Sequence, residues 1–119
     1  MRAIHRVPRE ILTMVEEARD AILERLPGKP HLIVLYGSQA RGEATPESDV
    51  DLLVVVDRYD SGTVELVRDA VYDVMWEHDF LRLISVNVMS REEYDDQKRR
   101  GYSFVRNVER DGIVLWRAA

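Results

Sequence analysis

The sequence predicts an α/β (α+β) fold, in which helices pack on a mixed β-sheet. Long segments in which apolar residues recur at helical spacing alternate with short apolar runs of strand length, and glycine or proline separates most of them. The resulting order is helix, strand, strand, helix, strand, helix, helix, strand, which is typical of a sheet covered by helices. A length of 119 residues suits one domain, spanning residues 1–119.

The first half of the chain is predicted to contain one long helix and two strands. The helix begins near Pro8, which suits a first helical turn, and ends at the Pro-Gly-Lys-Pro segment 27–30. Residues 31–36 and 49–57 are apolar runs that predict strands, with a short helical turn at 39–42 between them. Because no long helix joins the two strands, we expect them to be antiparallel.

The second half is predicted to contain three helices and two strands. The sequence Ser-Arg-Glu-Glu at 90–93 matches a capping box, so a helix should begin there. Together the helices are predicted at 63–77, 90–100 and 102–110, and the strands at 80–89 and 113–116. The last strand is short and is expected at an edge of the sheet.

Composition and charge exclude several classes of protein. An apolar content of 45% is enough for a hydrophobic core, and no long uncharged apolar run indicates a membrane span. The net charge of −5 argues against broad binding to nucleic acid, which favours a basic surface. The N-terminus lacks the apolar centre of a secretory signal and the chain has no cysteine, so we expect a cytoplasmic protein.

Two short motifs between the first two strands carry the candidate chemistry. Gly37 and Ser38 follow an apolar run, which predicts a strand that ends in a tight turn with free N–H groups. Asp49 and Asp51 are separated by one residue at the start of the next strand, so both carboxylates should lie on one face of it. Two adjacent carboxylates repel unless a cation lies between them, and Mg²⁺ prefers such oxygen ligands.

The segment 35–56 resembles the signature of the polymerase-β-type nucleotidyltransferase superfamily, and most closely its minimal nucleotidyltransferase (MNT-like) members. Their pattern is a strand, Gly-Ser, a short helix with Ala-Arg-Gly, a loop, and Ser-Asp-x-Asp-Leu. The matching residues here are Gly37-Ser38, Ala40-Arg41-Gly42 and Ser48-Asp49-Val50-Asp51-Leu52. Each motif alone is weak, but together at this spacing they are specific, and they cover about a fifth of the chain.

The resemblance implies transfer of a nucleoside monophosphate from ATP or another nucleoside triphosphate to a hydroxyl group. By analogy, Asp49 and Asp51 are the catalytic residues and hold two Mg²⁺ ions. Gly37 and Ser38 would hold the β and γ phosphates. Arg41 would either reach a phosphate or brace the loop that follows it.

The chain departs from the family at one position. Active members carry a third carboxylate on a later strand, which is predicted here at 80–89, and the inward polar residues there are Ser85 and Asn87. One hypothesis is a working enzyme in which Asn87, water, a substrate group or a partner replaces the acid. The alternative is a regulatory or antitoxin-type module that binds nucleotide and metal with little or no transfer.

The resemblance also implies a protein partner. Minimal nucleotidyltransferases often pair with a small helical HEPN-type protein in toxin–antitoxin couples, and the partner can supply an acceptor tyrosine. The chain is too short to hold an acceptor-binding domain of its own beside the predicted sheet. A homodimer stays open as well, and the sequence does not name the acceptor.

Overall fold

The computed structural model describes residues 7–119. Its elements are α1 (Arg9–Arg25), β1 (Leu32–Tyr36), α2 (Ser38–Arg41), β2 (Val50–Val56), α3 (Ser61–Glu77), β3 (Ile84–Ser90), α4 (Arg91–Arg100), α5 (Ser103–Asp111) and β4 (Ile113–Arg117). The predicted order of elements is therefore confirmed. Most of the N-terminal segment that lacks a signal-like apolar centre lies outside the described residues.

The strands form one mixed sheet in the order β3-β2-β1-β4. Strands β1 and β2 are antiparallel, as predicted, and β4 pairs antiparallel with β1 at one edge. Strands β2 and β3 are parallel. Because the long helix α3 connects them, the chain returns to the same end of the sheet before β3 begins.

Helices cover both faces of the sheet, which explains why the strands are apolar on both sides. One face carries Val50 and Leu52, which pack in a buried cluster with residues of α1 and α3. The opposite face carries Leu53 and Val55, which pack with residues of α4 and α5 such as Val105. The predicted alternation of β2 is therefore confirmed, and Asp51 lies on the face of α4 and α5.

The connection between α3 and β3 differs from the prediction. The expected strand over 80–89 is wrong at its start, because β3 begins only at Ile84. Asp79 and Phe80 both adopt a left-handed conformation with φ of 54°. Residues in this region cannot continue a strand, so the chain turns sharply after the helix before pairing resumes.

The start of α4 follows the predicted capping box. The backbone N–H of Glu93 donates a hydrogen bond to Oγ of Ser90 at 3.0 Å. None of the helices formed by residues 7–119 has the length and apolar composition that a bilayer span requires.

Candidate functional site

Three polar residues from three neighbouring strands lie side by side at one end of the sheet. Tyr36 at the end of β1 pairs with Asp51 of β2, and Asp51 pairs with Ser85 of β3. Residues paired across strands point to the same face. The parallel pairing of β2 and β3 is what brings the start of both strands to the end of β1.

Gly37 turns the chain directly over Asp51. It has φ of 76°, a conformation that other residues rarely adopt. A Cβ atom added to Gly37 would overlap Oδ2 of Asp51 and would lie 3.3 Å from its Cγ. The backbone at Gly37 and the carboxylate of Asp51 are therefore neighbours in space, although 13 residues lie between them in the sequence.

Ser38 begins the short helix α2 immediately after this turn. The N–H of Arg41 donates to the carbonyl of Gly37 at 3.2 Å, and the N–H of Glu43 donates to the carbonyl of Ser38 at 3.0 Å. Gly42 closes the helix with φ of 72°. The first N–H groups of such a turn have no partner within the helix, so they remain free for other acceptors.

The loop after α2 is held by its own side chains. Nε of Arg41 pairs with Oε2 of Glu43 at 3.1 Å, which is compatible with bracing of the loop, and contact of Arg41 with a phosphate stays a prediction. Oγ of Ser48 accepts from the N–H of Thr45 at 2.9 Å, and the N–H of Ser48 donates to the Thr45 carbonyl at 3.0 Å. Ser48 is therefore a turn residue that positions the start of β2.

The two aspartates interact electrostatically. Asp49 is exposed and lies one residue before β2, whereas Asp51 is half-buried within it. Partial burial and the negative charge of Asp49 raise the pKa of the Asp51 carboxyl, and the nearby charge of Arg41 lowers it. Because the net direction is upward, the arginine compensates only part of the unfavourable environment.

This donor set fits a hard divalent cation. Carboxylate oxygens are the preferred protein ligands of Mg²⁺, and a cation would relieve the repulsion that raises the pKa of Asp51. Within residues 7–119 no group of three or more His, Cys, Asp or Glu residues is arranged as a metal site. The pair of acids would therefore need further oxygen ligands from substrate, water or neutral side chains.

Tyr36 was not predicted as a site residue, although its phenol is close to Asp51. Burial and the charge of Asp51 raise the pKa of the Tyr36 phenol, and a hydrogen bond with the Asn87 side chain lowers it. The phenol is therefore near the Asp51 carboxylate and within hydrogen-bonding distance of the Asn87 side chain. Its ring packs edge-on against Phe104 of α5, with 5.4 Å between the centroids. The available signal was that Tyr36 immediately precedes Gly37 at the end of an apolar strand.

The positions expected to carry the third acid lie on the same open face. Ser85 pairs with Asp51, and Asn87 pairs with Leu53, one step further along the strands. Leu53 is fully buried under the helices, whereas Ser85 and Asn87 are exposed. Helices α4 and α5 therefore leave this corner of the sheet open to solvent.

A family profile described as "Nucleotidyltransferase domain" matches residues 15–113. The chain belongs to this family. A relative from Methanocaldococcus jannaschii, named "Putative protein adenylyltransferase", is 32% identical over 102 residues, which cover 86% of this chain and 94% of the relative. The predicted family is therefore confirmed over most of the chain.

Two solved structures confirm the fold. One is a "putative nucleotidyltransferase" from Sulfolobus solfataricus, with a TM-score of 0.57, 19% identity, and coverage of 91% of this chain and 81% of that one. The other is described as a toxin–antitoxin with AMP-PNP, with a TM-score of 0.51, 25% identity, and coverage of 87% and 73%. The family membership and this fold agree with the sequence signature over 35–56.

Proposed function

We propose that the chain is an Mg²⁺-dependent nucleotidyltransferase that moves a nucleoside monophosphate from ATP or another nucleoside triphosphate to a hydroxyl group. The observation that carries the proposal is the close approach of the Gly37 backbone to the Asp51 carboxylate, with Asp49 beside it at an open corner of the sheet. A phosphate-binding turn and a metal-binding acid pair are what a nucleoside triphosphate requires in one place.

Two residues bind the phosphates and two bind the metal ion. Gly37 and Ser38 hold the β and γ phosphates with the N–H groups that begin α2. Asp49 and Asp51 hold Mg²⁺, which would offset the charge of the triphosphate and help to ionise the acceptor hydroxyl. Arg41 keeps the loop in place through Glu43 and adds positive charge near Asp51.

The reaction exchanges one phosphorus–oxygen bond for another. The acceptor oxygen attacks the α-phosphorus, the bond from this phosphorus to the bridging oxygen breaks, and pyrophosphate leaves with the electron pair. The proton of the acceptor passes to water or to a group of the acceptor protein. Asn87 contributes an amide oxygen where other family members carry an acid, and it cannot take the proton itself.

The acceptor is proposed to be a protein. The Methanocaldococcus jannaschii relative is named a putative protein adenylyltransferase, which supports ATP as the donor and a protein hydroxyl as the acceptor. The structural neighbour crystallised as a toxin–antitoxin with AMP-PNP supports a separate partner chain, for which we propose a small helical protein of the HEPN type. A hydroxyl of a small molecule or of a second copy of this chain is the competing acceptor.

The second candidate is a regulatory or antitoxin-type module that binds nucleotide and metal but transfers little. The observation that favours it is the pair of neutral side chains, Ser85 and Asn87, on the strand next to Asp51. A general base typically raises the rate of a reaction about 10²- to 10⁴-fold. A protein that lacks one could therefore bind the nucleotide and still transfer it slowly.

A label-transfer experiment distinguishes the two functions. The protein is incubated with Mg²⁺, the protein encoded by the neighbouring gene, and ATP labelled at either the α- or the γ-phosphate. Nucleotidyl transfer predicts that only the α label becomes attached to protein, and that Asp51→Asn abolishes it. The matched control is Asp57→Asn, because Asp57 follows the opposite end of β2. ATP binding without attachment of the α label would contradict transfer and support the binding module.

A further inference from the structure

Four exposed large apolar side chains and the half-buried Phe80 lie at the end of α3 and in the turn that follows. This aromatic patch consists of Tyr72, Trp76, Phe80, Leu81 and Leu83. Trp76 is 66% exposed and Leu81 is 77% exposed. The three rings are in contact, and Leu81 and Leu83 follow them in the chain. Exposed apolar surface of this kind indicates an interaction site, and tryptophan and tyrosine are frequent energetic centres of protein interfaces.

The aromatic patch is ordered by ring contacts and by an unusual turn. The ring of Phe80 packs edge-on against Tyr72 at 5.5 Å and against Trp76 at 5.8 Å between centroids. Asp79 and Phe80 are consecutive non-glycine residues with positive φ, which costs roughly 1–2 kcal/mol for each residue. Strain of this size persists where the surrounding structure compensates for it, and it is frequent at functional sites.

The patch lies at the same end of the sheet as the acid pair, although α3 packs on the opposite face from Asp51. The carbonyl of Leu83 accepts a hydrogen bond from the N–H of Val50 at 2.8 Å, and Val50 lies between Asp49 and Asp51. The next residues of the chain enter β3 and lead to Ser85 beside Asp51. A molecule seated on the patch would therefore lie at this end of the sheet and could reach the face of Asp51 by extending around the edge strand β3.

The charges around the patch are mainly acidic, although Arg68 lies one turn before Tyr72 and Arg82, between Leu81 and Leu83, is paired with Glu10 at 3.8 Å. Asp69 precedes Tyr72 by one helical turn, while Glu77 and Asp79 adjoin the aromatic residues. Within residues 7–119 these three carboxylates take part in no ion pair, whereas Asp73 is paired with Arg25 at 2.8 Å. Two copies of this surface placed face to face would bring their acids together, which favours a basic partner over a second copy.

We propose that the aromatic patch is the docking surface for the acceptor protein. The occupant is an amphipathic helix of a separate chain, with apolar residues that pack on Trp76 and Leu81 and flanking lysine or arginine residues that pair with Glu77 and Asp79. The acceptor hydroxyl belongs to a part of the same partner that extends around the edge strand β3 to Asp49 and Asp51. This inference rests on the proposed function for the reaction, but the docking itself does not depend on transfer.

Site-specific crosslinking of the full chain in its own cells tests the proposal. A benzophenone amino acid replaces Leu81 in one variant and Tyr59 in a control variant. Tyr59 is also exposed, at 56%, but it follows the opposite end of β2. We expect a discrete adduct with a different protein from position 81 and none from position 59. The crosslinked peptide is sequenced and should contain apolar residues together with lysine or arginine.

A substitution in the patch completes the test. Trp76→Ala, combined with the crosslinker at position 81, should reduce the adduct at least about 30-fold if Trp76 is an energetic centre of the interface. Because Trp76 is exposed, the fold should remain, which the unchanged unfolding transition of this variant would verify. An adduct only with a second copy, an acidic crosslinked peptide, insensitivity to Trp76→Ala, or no adduct would overturn the proposal.

The label from α-labelled ATP separates this inference from the proposed function. A Trp76-dependent adduct whose captured protein never receives the label would support docking and contradict transfer. Label on a protein that does not crosslink from position 81 would support transfer and contradict docking on the patch. Both results together would support the complete account.

Discussion

Gly37 and Asp51 are in such close contact that only a residue without a side chain fits at position 37. A Cβ atom there would overlap Oδ2 of Asp51. The contact explains why a Gly-Ser pair and an Asp-x-Asp pair, which lie on different strands, form one site. The site therefore requires glycine at position 37, which the substitution Gly37→Ala tests.

Gly37→Ala is predicted to impair both stability and nucleotide binding. The positive φ alone costs about 1 kcal/mol, and the overlap with Asp51 adds to it. The matched control is Gly101→Ala, which has φ of 70° but would meet only Nη2 of Arg106, the flexible end of a side chain, at 3.0 Å. Urea unfolding should show that both variants lose stability. ATP titration should show that only Gly37→Ala loses ATP affinity. Equal ATP affinity in the two variants would contradict the account.

Asp51→Asn is predicted to abolish transfer while it stabilises the fold at neutral pH. The raised pKa of Asp51 means that the native state keeps this proton to higher pH than the unfolded chain does. Stability from this group therefore falls as the pH rises from about 3.9, the ordinary value, through the raised pKa. Unfolding measured across this window should show a flatter profile for Asp51→Asn than for the wild type.

An opposite-sign control for this profile is Asp60→Ala. A hydrogen bond from the N–H of Thr63 lowers the pKa of Asp60 at the start of α3. The stability that Asp60 contributes is present above its ordinary pKa and is lost as the pH falls through the lowered one. Asp60→Ala should therefore be destabilised at neutral pH and approach the wild type in acid. A stabilised Asp60→Ala variant or a destabilised Asp51→Asn variant at pH 7 would be inconsistent with these environments.

Tyr36→Phe is predicted to weaken the response to Mg²⁺ without unfolding the protein. The change keeps the ring packing on Phe104 and removes the hydroxyl that bonds to Asn87. Loss of such an outer contact typically costs about 10- to 100-fold in metal affinity or activity. Label transfer at a series of Mg²⁺ concentrations measures the effect, with Tyr59→Phe as the exposed control. An unchanged Mg²⁺ dependence would remove Tyr36 from the proposed site.

Asn87→Asp is predicted to increase transfer, because it restores an acid on the strand next to Asp51. A positioned base supplies about 100-fold or more, so a rise up to this size is expected when the acceptor is present. Asn87→Ala should lower transfer instead. Label transfer under identical Mg²⁺ and ATP concentrations compares the three proteins. If the aspartate and alanine variants behaved alike, Asn87 would not contribute to the site.

The sequence predicted the parts of the fold that depend on local patterns. Helical spacing placed α1 and α3, alternation placed Asp51 opposite to Val50 and Leu52, and the capping box placed α4. It failed at Asp79 and Phe80, because two left-handed residues without glycine leave no local signal in the sequence. Cytoplasmic location and the single domain over 1–119 remain predictions.

The candidate site was predictable in its motifs but not in its contacts. The resemblance supplied Gly37, Ser38, Asp49 and Asp51, and the parallel pairing of β2 and β3 then placed Ser85 beside Asp51. The role of Tyr36 depends on where the strands and α5 bring Asn87 and Phe104, and no residue pattern records this. The positions of the neutral residues Tyr36, Ser85 and Asn87 near the two aspartates therefore depend on long-range packing.

Titration of ATP into the purified protein, with Mg²⁺ and then with EDTA, tests the central claim most directly because it needs no acceptor. The account predicts that ATP binds in Mg²⁺, that EDTA weakens the binding, and that Asp51→Asn weakens it at least about 10-fold while Asp57→Asn does not. Binding of ATP that is the same in Mg²⁺ and EDTA and is insensitive to Asp51→Asn, or no binding at all, would contradict a nucleotide and metal site at Gly37 and Asp51.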